Sequence, residues 1–228
     1  MTRASSYPAF SPVPFLRTVL LALFLMSLCV WQHAHARGKV RFFADSLEGS
    51  ADPYAPRTVL RGNARMYFAD LEIHADKIEI SGDDYHLVTA TGNVRGEKKT
   101  QHLTFSAQSL HFSRNAHTTE LLGAAQISDK RENVTARAER IVYHEKNETL
   151  LLQMNVSLTY QDLQCQAMFG MYYRKSIFLE LSGAPRVSDR GNLFQAERIT
   201  LNMARREIQL HGKVQGSILK PYEWEQHR

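Results

Sequence analysis

Leu87-Val88-Thr89-Ala90-Thr91-Gly92-Asn93-Val94 decides the reading of this chain, because its last three residues recur at a nearly fixed interval. Equivalent triplets are Gly62-Asn63-Ala64, Gly123-Ala124-Ala125, Met154-Asn155-Val156, Gly183-Ala184-Pro185 and Gly212-Lys213-Val214. In chain order the six copies are 30, 31, 31, 29 and 29 residues apart. Between them runs a second motif, an alanine with an apolar residue three and usually five positions later. Its copies are Ala75/Ile78/Ile80, Ala107/Leu110/Phe112, Ala138/Ile141/Tyr143, Ala167/Gly170/Tyr172 and Ala196/Ile199/Leu201. A period near 30 residues marks one supersecondary unit stacked on copies of itself. Each unit touches mainly its neighbours, around a continuous core. Such an elongated array offers a surface or a conduit more readily than a single catalytic pocket.

Within a unit the residues alternate as in a strand with one buried face. Leu71, Ile73 and Ala75 alternate with Glu72 and His74; Leu103, Phe105 and Ala107 alternate with Thr104 and Ser106. The parity then slips, because Ile78 and Ile80 lie an odd number of residues past Ala75. Either a bulge returns them to the same face, or the second half of the strand is buried on its other side. Recurrence in all five copies favours the bulge. Polar turns follow each alanine, among them Gly82-Asp83-Asp84, Arg114-Asn115-Ala116, Glu145-Lys146-Asn147, Arg174-Lys175-Ser176 and Ala204-Arg205-Arg206. A second strand returns from each. The spacing predicts eleven or more strands of about ten residues, each about 33 Å long. They form an all-β, repeat-built architecture of two facing antiparallel sheets, with Leu, Ile, Val, Phe and Tyr inward. Asp76, Glu139 and Glu197, which follow repeat alanines, read as solvent-facing charges.

The ends differ from the repeats. Residues 1–36 read as an export signal. Arg3 and Arg17 are its charges, Val19 to Trp31 its apolar run, and Ala34-His35-Ala36 the small residues before a cut at Arg37. The run falls short of the roughly 20 residues that span a bilayer; an uncleaved anchor is the alternative. A lipoprotein signal at Cys29 is disfavoured by bulky Leu28. Residues 37–56, with Asp52-Pro53 and Ala55-Pro56, read as a lead-in, 57–219 as one repeat domain, and 220–228 as a polar tail. Removing the signal takes the net charge from +5 to +3, without a basic block or an RNA-binding aromatic signature. Nucleic acid is therefore not an expected partner. Cys165 is then the lone cysteine, which excludes an internal disulfide and suits a small apolar core residue.

Chemistry-bearing motifs are sparse. The chain has no Gly-x-Ser-x-Gly elbow, no phosphate-cradling glycine loop and no His-Glu-x-x-His. Its ten histidines are scattered at no metal-ligand spacing. No enzyme, metal or cofactor is expected. The aromatics Phe105, Phe112, Tyr143, Tyr172 and Phe194 hold equivalent repeat positions. They fit either a packed sandwich core or an apolar groove between splayed sheets.

Units of the form Leu-x-Gly-Asn-Val followed by Leu-x-Phe-x-Ala-x-x-Leu-x-Phe, behind an export signal, resemble the OstA-like family. Its members include the periplasmic bridge protein of lipopolysaccharide transport and an inner-membrane-anchored relative. The resemblance spans about Val59 to Ser217 and is carried best by Leu87 to Val94 and by Phe194-Gln195-Ala196-Glu197-Arg198-Ile199. The fourth repeat departs from it, with Met154 in place of the glycine and Gly170 in place of the apolar residue, which predicts a looser strand there. The resemblance implies an open β-jellyroll whose sheets enclose an apolar groove for acyl chains while the sugar headgroup stays wet. The groove would be lined by Leu71, Ile73 and Ile78, by Leu103, Phe105, Leu110 and Phe112, and by Val134, Ile141 and Tyr143. Cys165, Phe194 and Ile199 complete it. The implied partners are lipopolysaccharide or another glycolipid, further OstA-like proteins joined edge to edge, and a second copy of the chain. The implied place is the periplasm, with a membrane-anchored adaptor as the variant. A carbohydrate-active β-helix enzyme and a non-binding scaffold are the readings from other classes.

Overall fold

The computed structural model describes residues 40–50, 52 and 56–219; the proposed signal over 1–36 and the tail over 220–228 lie outside them. Eight long strands follow one another as antiparallel neighbours: β3 (Arg57–Phe68), β4 (Leu71–Ser81), β5 (Leu87–Lys98), β6 (Leu103–Ser113), β7 (Thr118–Asp129), β8 (Val134–His144), β9 (Thr149–Tyr160) and β10 (Leu163–Tyr173). They are flanked by β1 (Val40–Phe43) and β2 (Ser46–Ser50) before, and by β11 (Phe178–Ser182), β12 (Arg186–Asp189), β13 (Asn192–Gln195), β14 (Arg198–Asn202), β15 (Glu207–His211) and β16 (Gln215–Ser217) after. All sixteen belong to one antiparallel sheet.

The two facing layers are two halves of that one sheet, folded along a crease. Each long strand crosses the crease in its middle. The ladder slips there in every pair from β3–β4 to β9–β10. Arg61 pairs with Lys77 and Ala64 with Ala75, so Gly62-Asn63 faces Asp76 alone. This is a two-against-one bulge, and it accounts for the parity slip. Two residues, Asp76 and Lys77, separate buried Ala75 from buried Ile78, and both halves of the strand turn their apolar side to one core.

The crease is made by consecutive left-handed residues. Gly62 and Asn63 have φ of 73° and 44°, Gly92 and Asn93 78° and 47°, Gly123 and Ala124 76° and 46°. Met154 and Asn155 (63° and 53°), Gly183 and Ala184 (76° and 55°), and Gly212 and Lys213 (71° and 41°) follow suit. Gly92 shows why glycine leads: a Cβ there would lie 2.3 Å from Oδ2 of Asp76. The Asn93 amide donates to that carboxylate at 2.9 Å, as Asn63 donates to Asp45 at 3.0 Å. The acids next to the repeat alanines thus face outward and also tie down the crease.

At the ends of the array the crease cuts strands in two. β1 and β2 are one pass interrupted at Ala44-Asp45; β11 and β12 are divided at Gly183-Ala184-Pro185, β13 and β14 at Ala196-Glu197, and β15 and β16 at Gly212-Lys213-Val214. Ala44-Asp45 is therefore a further copy of the alanine motif, within the stretch that reads as a lead-in. Against the looser strand predicted for the fourth repeat, β9 and β10 run unbroken through the same bulge. Met154 and Asn155 adopt the left-handed pair without a glycine.

Substitution at the crease separates backbone strain from packing. Gly92→Ala should lose about 1–2 kcal/mol, the left-handed penalty of an L-residue, with any further loss coming from the Asp76 clash. Ala124→Gly, at an equally left-handed position, should be neutral or stabilising. Urea unfolding of the two variants beside the parent measures both.

Candidate functional site

The space between the layers is the candidate site, and its walls come from the repeat. Leu71, Ile73, Leu103, Phe105, Val134, Cys165 and Phe194 reach it from one layer; Ile78, Leu110, Phe112, Ile141, Tyr143 and Ile199 reach it from the other. All thirteen share one apolar cluster, Phe194 half-buried at its margin and the rest buried. Leu60, Met66, Leu121, Leu152, Leu158 and Leu179 join them, fully enclosed. One signal finds several of these: Leu60, Ala90, Leu121, Leu152, Leu181 and Leu210 each stand two residues before a crease dipeptide.

The interior is occupied by its own side chains. Ile73, Ile78, Leu110, Ile141 and Ile199 are 0% exposed. A cavity of about 60 Å³ opens at the C-terminal end, between Leu163, Val187 and Phe194 of one layer and Leu201, Met203 and Ile208 of the other. A cavity that holds benzene is about 150 Å³. An acyl chain therefore enters only if the layers part.

Opposite the crease the turns form two lips. One carries 114–117, 145–148, 174–177 and 203–206; the other carries 69–70, 99–102, 130–133 and 161–162. Polar side chains bridge them. The Tyr143 hydroxyl donates to Gln101 Oε1 at 2.6 Å, Lys98 pairs with Glu145, and Arg206 donates to Gln161 Oε1 at 2.7 Å. Arg114 stands over the Phe68 ring, 6.0 Å from its centroid.

The central bridge is buried. Arg174 and Asp129 have side chains 1% and 3% exposed. The Arg174 guanidinium donates through Nε to Asp129, through Nη2 to the Gln101 carbonyl at 2.5 Å, and through Nη1 to Glu148 at 3.0 Å. Burial works against its charge, but Asp129 and Glu148 more than offset this and hold its pKa above the ordinary value. Asp129 also accepts the backbone N–H groups of Arg131 and Glu132, which shapes its turn. In the sequence both read as ordinary turn residues, Arg174 in Arg174-Lys175-Ser176 and Asp129 at the start of a second polar turn over Asp129–Glu132. No local pattern marks a pair 45 residues apart.

Burial raises the Tyr143 hydroxyl to about 12, helped by the Glu148 charge, and the Cys165 thiol to about 12. The thiol ionises near 9 when unfolded. Its contribution to stability is thus intact below pH 9 and is lost as pH rises towards 12. Unfolding free energies measured from pH 8 to 11 should fall more steeply for the parent than for Cys165→Ala. Arg174→Met, which strands buried Asp129, should cost about 3–5 kcal/mol. Arg206→Ala breaks an exposed contact and should cost under about 1 kcal/mol.

A search of the curated proteins gives no match. Among solved structures the chain is similar to LptH of Pseudomonas aeruginosa, described as the LptA-homologous periplasmic component of the conserved lipopolysaccharide transport device. The identity is 13% and the TM-score 0.26, over 80% of this chain and 96% of that one. A family model, described as "LptA/(LptD N-terminal domain) LPS transport protein", matches residues 44–168, more than half of the chain. The creased, repeat-built sheet thus belongs to the LptA/LptD N-terminal-domain family of lipopolysaccharide-transport proteins.

Proposed function

We propose that this protein is a periplasmic carrier that shields the acyl chains of lipopolysaccharide, or of a related glycolipid, on the way to the outer membrane. One observation carries the reading: two layers joined along a single crease turn an unbroken apolar face towards each other over the whole array. Burying one CH₂ is worth about 0.8 kcal/mol, so a chain of about twelve carbons faces roughly 10 kcal/mol against crossing water uncovered. An apolar slot removes that barrier with no covalent step, and the reading assigns no catalytic residue.

Assembly follows from the edges. Along its outer side the β1/β2 pass has no strand partner among the described residues, and it exposes Val40, Phe42, Phe43 and Leu47. The β15 edge at the opposite end is likewise open among the described residues. Unpaired edges add strands from another chain. Edge-to-edge pairing with other transport proteins, or with a second copy, would extend the slot. A retained apolar segment over 1–36 would make the same fold an anchored adaptor.

The filled interior favours one rival, a scaffold that binds nothing. The two readings part on binding. The purified protein should bind lipopolysaccharide. Phe194→Glu, a charge at the half-buried C-terminal mouth, should weaken binding at least about tenfold while the β-sheet circular dichroism is kept. No binding by the parent establishes the scaffold.

A further inference from the structure

The bridges across the lips obey a rule. Tyr143–Gln101, Lys98–Glu145, Arg174–Asp129 and Arg206–Gln161 join residues 42, 47, 45 and 45 positions apart. Each turn of one lip thus grips the turn of the other that lies one and a half repeats earlier. Among these bridges Arg174–Asp129 is the fully buried one, and it closes the slot at mid-array. Just inside it stands a second anomaly. The Tyr172 hydroxyl is buried and has no hydrogen-bond partner among the described residues. Its ring is 1% exposed within the apolar cluster, two residues from Arg174. A buried, unsatisfied hydroxyl is costly and calls for a reason.

Both anomalies are met by one ligand chemistry, an acyl chain joined through a carbonyl to an anionic headgroup. Resting on the carrier reading above, we propose that the Arg174–Asp129 pair is a cargo-operated latch. The chain passes sideways between the lips, Arg174 trades Asp129 for the anionic group of the cargo, and the Tyr172 hydroxyl donates to the linking carbonyl. Guanidinium suits this exchange, since it binds carboxylate and phosphate with the same forked geometry. Asp129 left behind keeps the N–H groups of its own turn. The end-on alternative, loading through the C-terminal mouth, would leave the latch untouched.

Fluorophore-labelled lipopolysaccharide and the full chain test this. Asp129→Asn retains the turn-capping oxygen and loosens the latch; it should speed association about tenfold by populating the open lips. Tyr172→Phe removes an unsatisfied hydroxyl; it should hold or raise stability yet weaken binding about three- to tenfold. A merely structural Tyr172 would leave affinity unchanged. In the parent, cargo should speed hydrogen exchange of the Lys130 and Arg174 amides, which bond to the His102 and Glu148 carbonyls of the preceding turn on the same lip and are freed when the latch turns swing away from their neighbours. Exchange read in this way stands even where Asp129→Asn does not fold. Parental association rates in Asp129→Asn, unchanged affinity in Tyr172→Phe, or exchange effects confined to β15 and β16 each overturn the latch and leave the carrier intact. A parent that binds no lipopolysaccharide removes both.

Discussion

Two successive left-handed residues in the middle of each glycine-motif strand are the constraint on which this molecule rests. A flat sheet of this length would expose one apolar face to water. The paired positive φ angles turn every strand at the same height, so the sheet closes on itself and buries that face. Neighbouring strands answer with one residue where the glycine strand has two, which keeps the ladder paired on both sides of the turn. The carboxylates and amides beside the crease lie outside the core, yet they set its geometry through Asn93–Asp76 and Asn63–Asp45.

The crease and the lips divide the mechanical labour. Backbone covalency and the hydrogen-bonded ladder make the crease permanent. Among the described residues the lips are held by side chains alone, most of them at least partly exposed, where an ion pair contributes little. The exception is Arg174, whose guanidinium ties Asp129, Gln101 and Glu148 together out of water. Strength is thus concentrated at one place on an otherwise weakly closed seam. Closing the seam keeps a long apolar wall out of water.

Much of this was legible in the residues. The interval between Gly62 and Gly212 set the repeat, and the alanine motif set the face and its slip, because strand periodicity is local and every copy votes on it. What stayed hidden was global. The reading of two sheets held for the layers, but no local pattern says that each strand serves both. Ala44-Asp45 is hard to see because only Leu47 follows it at the motif's spacing, Gly49 fills the second apolar place, and no glycine triplet precedes it at the repeat's spacing. The thirteen wall residues were named from one strand type. Their counterparts two places before the crease, such as Leu121 and Leu152, obey an alternation that the glycine interrupts. Asp129 and Arg174 were invisible because a pair across the lips has no signature shorter than one and a half repeats.

A sheet creased at the same height in every pass grows in only one direction. Strands lie about 4.8 Å apart, and each repeat contributes two of them. One added repeat therefore lengthens the trough by roughly 10 Å and leaves its cross-section and both terminal edges as they were. Reach is then a whole-number quantity, set by counting units, and duplication can change it without redesigning the cross-section.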